Sequence, residues 1–131
     1  GRMELVGTLD RVDAVSAPGE STALVIDYKT ESDSVTAQRI KTGAEDTQLA
    51  FYAALLSHDT LRAAYVNVGE RGETKLHEQQ EVVHLRDLLV EGIQHDFARI
   101  ADGAPLPALG EGAVCDYCSA RGLCRRDFWN D

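Results

Sequence analysis

A short apolar run that ends on a carboxylate constrains the fold of this chain more than any other feature. Residues 23–26 read ALVI, and Asp27 and Lys29 follow directly after them. A continuous, partly β-branched run of this length is typical of a strand that is covered on both faces. Alternation along a strand puts Asp27 and Lys29 on the same face. Because a buried carboxylate is costly without a partner, we expect the two side chains to interact.

A second aspartate precedes this strand. Residues 3–16 mix apolar and polar positions, and residues 17–20 (APGE) signal a turn, so the start of the chain predicts a hairpin. In that hairpin Asp10 lies opposite or diagonal to Asp27. Two carboxylates on one sheet face are natural ligands for a hard cation such as Mg²⁺, and such a site beside Lys29 supports phosphodiester hydrolysis. The alternative is a salt-bridged surface hairpin, because Asp-x-Lys is common by chance.

The rest of the pattern predicts an α/β fold in which helices flank a central mixed sheet. Polar residues 31–44 predict a loop, and Thr42 with Glu45 has the form of a capping box. We expect a helix of about four turns to follow that box, through Leu56. Further elements are predicted at residues 61–68 (strand), 73–78 (strand) and 85–101 (amphipathic helix). The predicted order is strand, strand, helix, strand, strand, helix.

Composition and charge limit the function. With 131 residues the chain suits one domain, and its net charge of −9 argues against broad coating of nucleic acid. A nuclease is not excluded, because a site for divalent cations collects carboxylates. No apolar run approaches the ~20 residues needed to cross a bilayer, so we expect no membrane partner. Three cysteines without a secretion signal predict a reducing, cytoplasmic setting.

Three segments together resemble the PD-(D/E)xK nucleases. They are residues 7–13 (GTLDRVD), 26–30 (IDYKT) and 48–52 (QLAFY), in an order and spacing that cover most of the chain. Within that superfamily the chain resembles the RecB/AddB-type nuclease domain of bacterial double-strand-break repair enzymes. The resemblance implies a restriction-endonuclease-like core, DNA as the substrate, and a helicase-type domain or subunit as the partner.

The resemblance also assigns roles to individual residues. It implies that Asp10, Asp27 and the backbone carbonyl of Tyr28 bind Mg²⁺ or Mn²⁺, and that Lys29 is catalytic. Domains of the family begin with a helix that contributes another metal-site residue. We expect this chain to begin after that helix, which leaves the isolated site one ligand short.

Gln48 and Tyr52 form the Q-x-x-x-Y element of the family, which flanks the catalytic site. They are four residues apart on the predicted helix, so they share a face. Such a pair either orients Lys29 or hydrogen-bonds a DNA phosphate. From the residues alone, a core aromatic and an exposed glutamine are the competing interpretation.

The three cysteines lie near the C-terminus, where Cys115, Cys118 and Cys124 have C-x₂-C and C-x₅-C spacing. Thiolates at this spacing suit a metal or a cluster, and an incomplete zinc site or plain reduced thiols are alternatives. The tail resembles the cysteine cluster of AddB-type nucleases, which implies a 4Fe–4S cluster whose fourth cysteine lies upstream. We expect no cluster in this chain by itself. The predicted organisation is a nuclease core at 1–109 and a cysteine tail at 110–131.

Two other functions compete with a nuclease. One is a degenerate nuclease fold that binds DNA without cutting it, and the other is a structural iron–sulfur module. The presence of Asp10, Asp27 and Lys29 together favours the nuclease, whereas the acidic net charge favours the structural module. The sequence does not distinguish exonuclease from endonuclease action.

Overall fold

The computed structural model describes residues 3–17, 19–58, 60–69, 72–106 and 115–124 of the chain. The chain divides into two compact units, Gly1–Ile93 and Gln94–Asp131. The first unit carries the whole sheet and both helices that connect its central strands.

A four-stranded mixed sheet forms the centre of the first unit. Its strands, in spatial order, are β1 (Arg11–Ala17), β2 (Glu20–Lys29), β3 (Leu61–Val68) and β4 (Thr74–Glu78). β1 and β4 run antiparallel to their neighbours, whereas β2 and β3 are parallel. The predicted mixed sheet with flanking helices is confirmed, and so are the initial hairpin and the bounds of β3. Residue 18 of the predicted hairpin turn lies outside the described residues.

Two helices connect the parallel strands β2 and β3, as a crossover connection requires. They are α1 (Asp33–Lys41) and α2 (Gln48–Ala54). After β4 the chain forms α3 (Val82–Ala101) and the short α4 (Arg121–Cys124). Gly103, at φ 84°, follows α3 in the left-handed conformation that glycine favours at a helix end. None of the described helices is both long and apolar enough to span a bilayer.

The main core lies on the sheet face that α1 and α2 cover. Val25, Ala63 and Tyr65 project from the central strands into this core, and Leu49 and Ala53 meet them from α2. Alternation along β2 places Asp27 and Lys29 on the same face as Val25. Asp27 and Lys29 therefore lie at the edge of the apolar core, on the same sheet face. The opposite face of the sheet buries a smaller cluster: Leu24, Ile26, Ala64 and Val66.

The prediction of a loop at residues 31–44 is wrong, because α1 occupies most of this segment. The helix has little apolar character, and Thr36 is its one buried residue. Its contacts with the rest of the unit are polar instead. Arg39 binds Glu31 and Asp46, and Asp33 binds Lys75 of β4. A helix held by ion pairs leaves no hydrophobic periodicity for a sequence pattern to reveal.

The predicted capping box at Thr42 and Glu45 is also wrong. Thr42 follows the end of α1, where both its backbone N–H and its hydroxyl donate to the carbonyl of Gln38. The next helix, α2, begins at Gln48 and has seven residues rather than four turns. A further difference is that β1 begins only at Arg11, so Asp10 precedes the strand.

Candidate active site

Asp27 and Lys29 form a close pair at the end of β2. The Lys29 Nζ lies 2.9 Å from Asp27 Oδ2, and the side chains are only 17% and 5% exposed. The fold produces this pair because the two residues are one pleat apart on the face that packs against α2. A lysine so placed is a fixed positive charge rather than a mobile surface group.

Gln48, the first residue of α2, connects the two members of this pair. Its Oε1 accepts a hydrogen bond of 2.6 Å from Lys29 Nζ, and its Nε2 donates to Asp27 Oδ1 at 3.0 Å. The same Nε2 donates to the hydroxyl of Tyr52 at 3.0 Å, one helical turn along α2. The structure thus brings four of the predicted site residues into one hydrogen-bonded network. Gln48 contacts Lys29, which favours the orienting interpretation over the exposed-glutamine one.

Asp10 approaches this network from the other strand of the hairpin. In the β1–β2 register Arg11 pairs with Ile26, so the register continued by one residue places Asp10 opposite Asp27. Asp10 itself is exposed, and its Oδ2 accepts a hydrogen bond of 3.1 Å from the backbone N–H of Tyr28. Because the N–H and C=O of one strand residue point to the same side of the strand, the Tyr28 carbonyl points toward the Asp10 side.

A close approach of the chain to α2 holds the segment before Asp10. A Cβ added to Gly7 would lie 2.8 Å from Leu55 Cδ1 and 3.1 Å from Phe51 Cε1. Real Cβ atoms essentially never lie within 3.0 Å of another atom in this way, so a side chain at residue 7 would force Leu55 to shift. The absence of a side chain at Gly7 therefore lets the segment lie against the helix that carries Gln48.

The sequence matches a known family over nearly its whole length. The model of the PD-(D/E)XK nuclease superfamily matches residues 1–125, which include every residue of the network just described. The chain belongs to this superfamily. A search of curated proteins found no match. The chain is therefore a domain of a nuclease superfamily whose members generally use divalent metals such as Mg²⁺.

The donor set of this nuclease-type site fits such a cation. Asp27 Oδ2 is buried, and among the described residues no group donates a hydrogen bond to it. The Lys29 ammonium forms an ion pair with this oxygen at 2.9 Å and also donates a hydrogen bond to Gln48 Oε1. Mg²⁺ is commonly bound by one or two carboxylates together with waters and substrate phosphates. Among the described residues, no group of three or more His, Cys, Asp or Glu side chains is arranged to hold a metal ion.

A second polar cluster lies next to the network and consists of Tyr65, Asp46, Arg39 and Glu31. No sequence pattern indicated it. Tyr65 of β3 is 1% exposed, and its ring lies beneath Lys29. Burial raises the pKa of the Tyr65 hydroxyl, and its hydrogen bond to Asp46 raises the pKa further. Hydrogen bonds from Arg39 lower the pKa of the Glu31 carboxyl. Both groups therefore keep fixed charge states, neutral and negative, around neutral pH. In the sequence Tyr65 looked like one more apolar strand residue.

The cysteines belong to the second unit, near and within α4. Cys115 is half-buried, Cys118 and Cys124 are exposed, and none of the three is in a disulfide. The backbone N–H of Cys118 lies 3.4 Å from the carbonyl of Cys115, within one turn of chain. Residues 110–114 and 125–131 of the predicted tail lie outside the described residues.

Proposed function

We propose that this chain is the metal-dependent DNA nuclease domain of a RecB/AddB-type helicase–nuclease that acts in DNA repair and recombination in the cytoplasm. The observation that carries the proposal is the Asp27–Lys29–Gln48 network. It combines a buried carboxylate with a lysine that forms an ion pair with it at 2.9 Å and is held in place by Gln48. Metal-dependent phosphodiester hydrolysis uses a carboxylate that holds the metal ion and a positively charged side chain that offsets negative charge in the transition state.

Asp10, Asp27 and the carbonyl of Tyr28 are the groups that would hold Mg²⁺ or Mn²⁺. When bound, the metal lowers the pKa of a coordinated water and offsets charge on the scissile phosphate. Lys29 places its ammonium where negative charge develops on the phosphate and helps to orient the attacking water. Gln48 fixes the ammonium of Lys29 before substrate arrives, and Tyr52 fixes Gln48. Preorganised groups of this kind need no rearrangement during the reaction.

The acidic charge of the chain determines where DNA affinity must come from. The net charge of −9 repels a polyanion, and most affinity for DNA comes from many lysine and arginine contacts to phosphates. The proposal therefore assigns bulk DNA binding to the helicase-type partner. This chain then cleaves the phosphodiester bond at a single phosphate.

We further propose that residues 1–109 form the nuclease core and that residues 110–131 form a cysteine tail with a structural role. Cys115, Cys118 and Cys124 supply three thiolates, and the chain has no other cysteine. Three thiolates are one fewer than a 4Fe–4S cluster takes from Cys₄ ligation, so this chain alone does not fit that cluster. In the proposed parent enzyme the fourth cysteine comes from another part of the protein.

The proposal is tested by Mn²⁺ binding to this chain and by DNA cleavage in the complete protein that carries it. Calorimetry is expected to show weak Mn²⁺ binding that Asp27→Asn weakens further, because two carboxylates are few ligands for such a site. The complete protein is expected to degrade linear duplex DNA with Mg²⁺ and not with EDTA. Equal Mn²⁺ affinity of wild type and Asp27→Asn would contradict the metal assignment. DNA binding without cleavage under both conditions would instead support the degenerate binding module.

A further inference from the structure

The ring of Tyr65 lies directly below the ammonium of Lys29. Asp27 pairs with Tyr65 in the parallel β2–β3 register, so both side chains project from the same face of the sheet. The Lys29 Nζ lies 5.0 Å from the centroid of the Tyr65 ring. An ammonium within about 6 Å of an aromatic face is attracted by the ring quadrupole, and more strongly when it is desolvated. Lys29 is largely buried, so this attraction acts with little competition from water.

The hydroxyl of Tyr65 is held by a chain of hydrogen bonds that runs through Asp46 to Arg39. It donates a 2.5 Å hydrogen bond to Asp46 Oδ1, and the other oxygen of Asp46 accepts from Arg39 Nη1 at 2.6 Å. Arg39 also makes a two-pronged contact with Glu31, through Nε at 2.6 Å and Nη2 at 2.8 Å. Paired contacts of this kind fix direction as well as distance. The chain of contacts ends at Glu31, two residues beyond Lys29, so it returns to the strand extension that carries the lysine.

We propose that Tyr65 is a positioning residue that holds Lys29 in its reactive orientation, and that Asp46 fixes the Tyr65 ring for this task. The inference rests on the proposed function, in which Lys29 acts on the scissile phosphate. Gln48 holds the ammonium from the helix side, and the Tyr65 ring supports it from the sheet side. With both contacts the ammonium is restrained in two directions. A tyrosine that merely filled the core would also need an acceptor for its hydroxyl, but it would not need the lysine that lies over its ring.

The contact is measured directly by the NMR shifts of the Lys29 ε-methylene protons in this chain. A group above an aromatic face is shifted upfield by the ring current, and Lys41, which is exposed on α1, is the internal reference. We expect an upfield shift for Lys29 in the wild type and in Tyr65→Phe, and its loss in Tyr65→Leu. A wild-type Lys29 resonance at the Lys41 position would overturn the proposal without any variant, even if Tyr65→Leu fails to fold.

Cleavage by the complete protein then tests whether the contact matters for the reaction. Tyr65→Phe and Tyr65→Leu both remove the hydroxyl, but only Tyr65→Leu removes the ring. We expect Tyr65→Leu to lower kcat about tenfold with KM nearly unchanged. Tyr65→Phe keeps the ring but loses its hydrogen bond to Asp46, so its kcat is expected to lie between those of Tyr65→Leu and the wild type. Leu61→Ala, a buried core change farther down β3, controls for a general loss of stability.

The outcomes separate this inference from the proposed function. If Tyr65→Leu and Leu61→Ala lower the melting temperature equally and kcat equally, Tyr65 is only a core residue and the inference fails. If the ring-current shift is present but the wild type cuts no DNA, the contact stands and the proposed nuclease function fails.

Discussion

The two aspartates of the candidate site face each other across the end of the hairpin, yet the fold holds them in different ways. Asp27 is 3% exposed and is surrounded by Lys29 and Gln48. Asp10 is exposed, precedes its strand, and is held by one hydrogen bond from the Tyr28 backbone. The position of the Asp27 carboxylate is therefore determined by the packing of the core. The position of the Asp10 carboxylate is determined by one local hydrogen bond at the end of a strand.

This difference separates two properties that a metal-dependent site needs. The orientation of Lys29 depends on buried side chains that cannot move without disturbing the core. In the proposed site, metal affinity also depends on the exposed carboxylate of Asp10, whose loss is expected to leave the core intact. Stability and metal binding are therefore expected to change together on the Asp27 side and separately on the Asp10 side.

Replacing each aspartate by asparagine is expected to give the largest effects. Both changes should weaken Mn²⁺ binding by about tenfold or more, because each removes a charged ligand. Asp27→Asn also leaves Lys29 without its counter-charge, which is expected to cost on the order of 2 kcal/mol and a few degrees in melting temperature. Asp10→Asn keeps an oxygen that accepts from Tyr28 N–H, so its melting temperature should not change. Equal melting temperatures of the two variants would show that Asp27 and Asp10 do not differ in their contribution to stability.

Removing the link between α2 and β2 is expected to have the next largest effect. Gln48→Met deletes the contacts to Lys29 and Asp27 at similar side-chain volume, and should lower the kcat of the complete protein about tenfold. Tyr52→Phe removes only a support of Gln48 and should lower kcat about two- to threefold. Gln38→Met on the exposed side of α1 is the control. If Tyr52→Phe were the more damaging of the two, Tyr52 would have a role beyond holding Gln48.

The smallest effect concerns the pH dependence of stability near Glu31. Arg39 lowers the pKa of Glu31 in the folded state, so the ion pair stabilises the fold above the ordinary glutamate pKa. That contribution is lost as the pH falls through the lowered folded-state pKa. We expect wild-type stability to drop between about pH 5 and pH 3 by about 1 kcal/mol more than that of Glu31→Gln. The exposed variant Glu45→Gln should show the same pH dependence of stability as the wild type. If Glu31→Gln also showed that dependence, the Arg39–Glu31 ion pair would contribute nothing to stability.

The sheet was predictable from the sequence because its signals are local. The apolar run at 23–26 and the strand at 61–68 are read from consecutive residues, and both predictions agree with β2 and β3. The pairing of Asp27 with Lys29 follows from strand alternation alone. Gln48 and Tyr52 were located by family resemblance, because two polar residues one turn apart have many uses.

The rest of the site was not predictable because it depends on contacts between distant segments. Arg39 contacts Asp46 and Glu31 only once α1 has formed. The sequence of α1 lacks the apolar periodicity from which a helix could be predicted. Tyr65 reaches Lys29 through a parallel strand pairing that spans the whole α1–α2 crossover. No spacing rule within the sequence connects residues that meet in this way.

The central claim is that Lys29 acts on the transition state rather than on DNA affinity, and Lys29→Ala in the complete protein tests it most directly. Cleavage of linear duplex DNA and equilibrium DNA binding are measured on the same preparation, with Lys41→Ala on α1 as a control for the loss of one positive charge. The account predicts a loss of about a hundredfold or more in cleavage rate and nearly unchanged DNA affinity, because one phosphate contact among many contributes little. Wild-type cleavage by Lys29→Ala, or cleavage and binding reduced by the same factor, would contradict it.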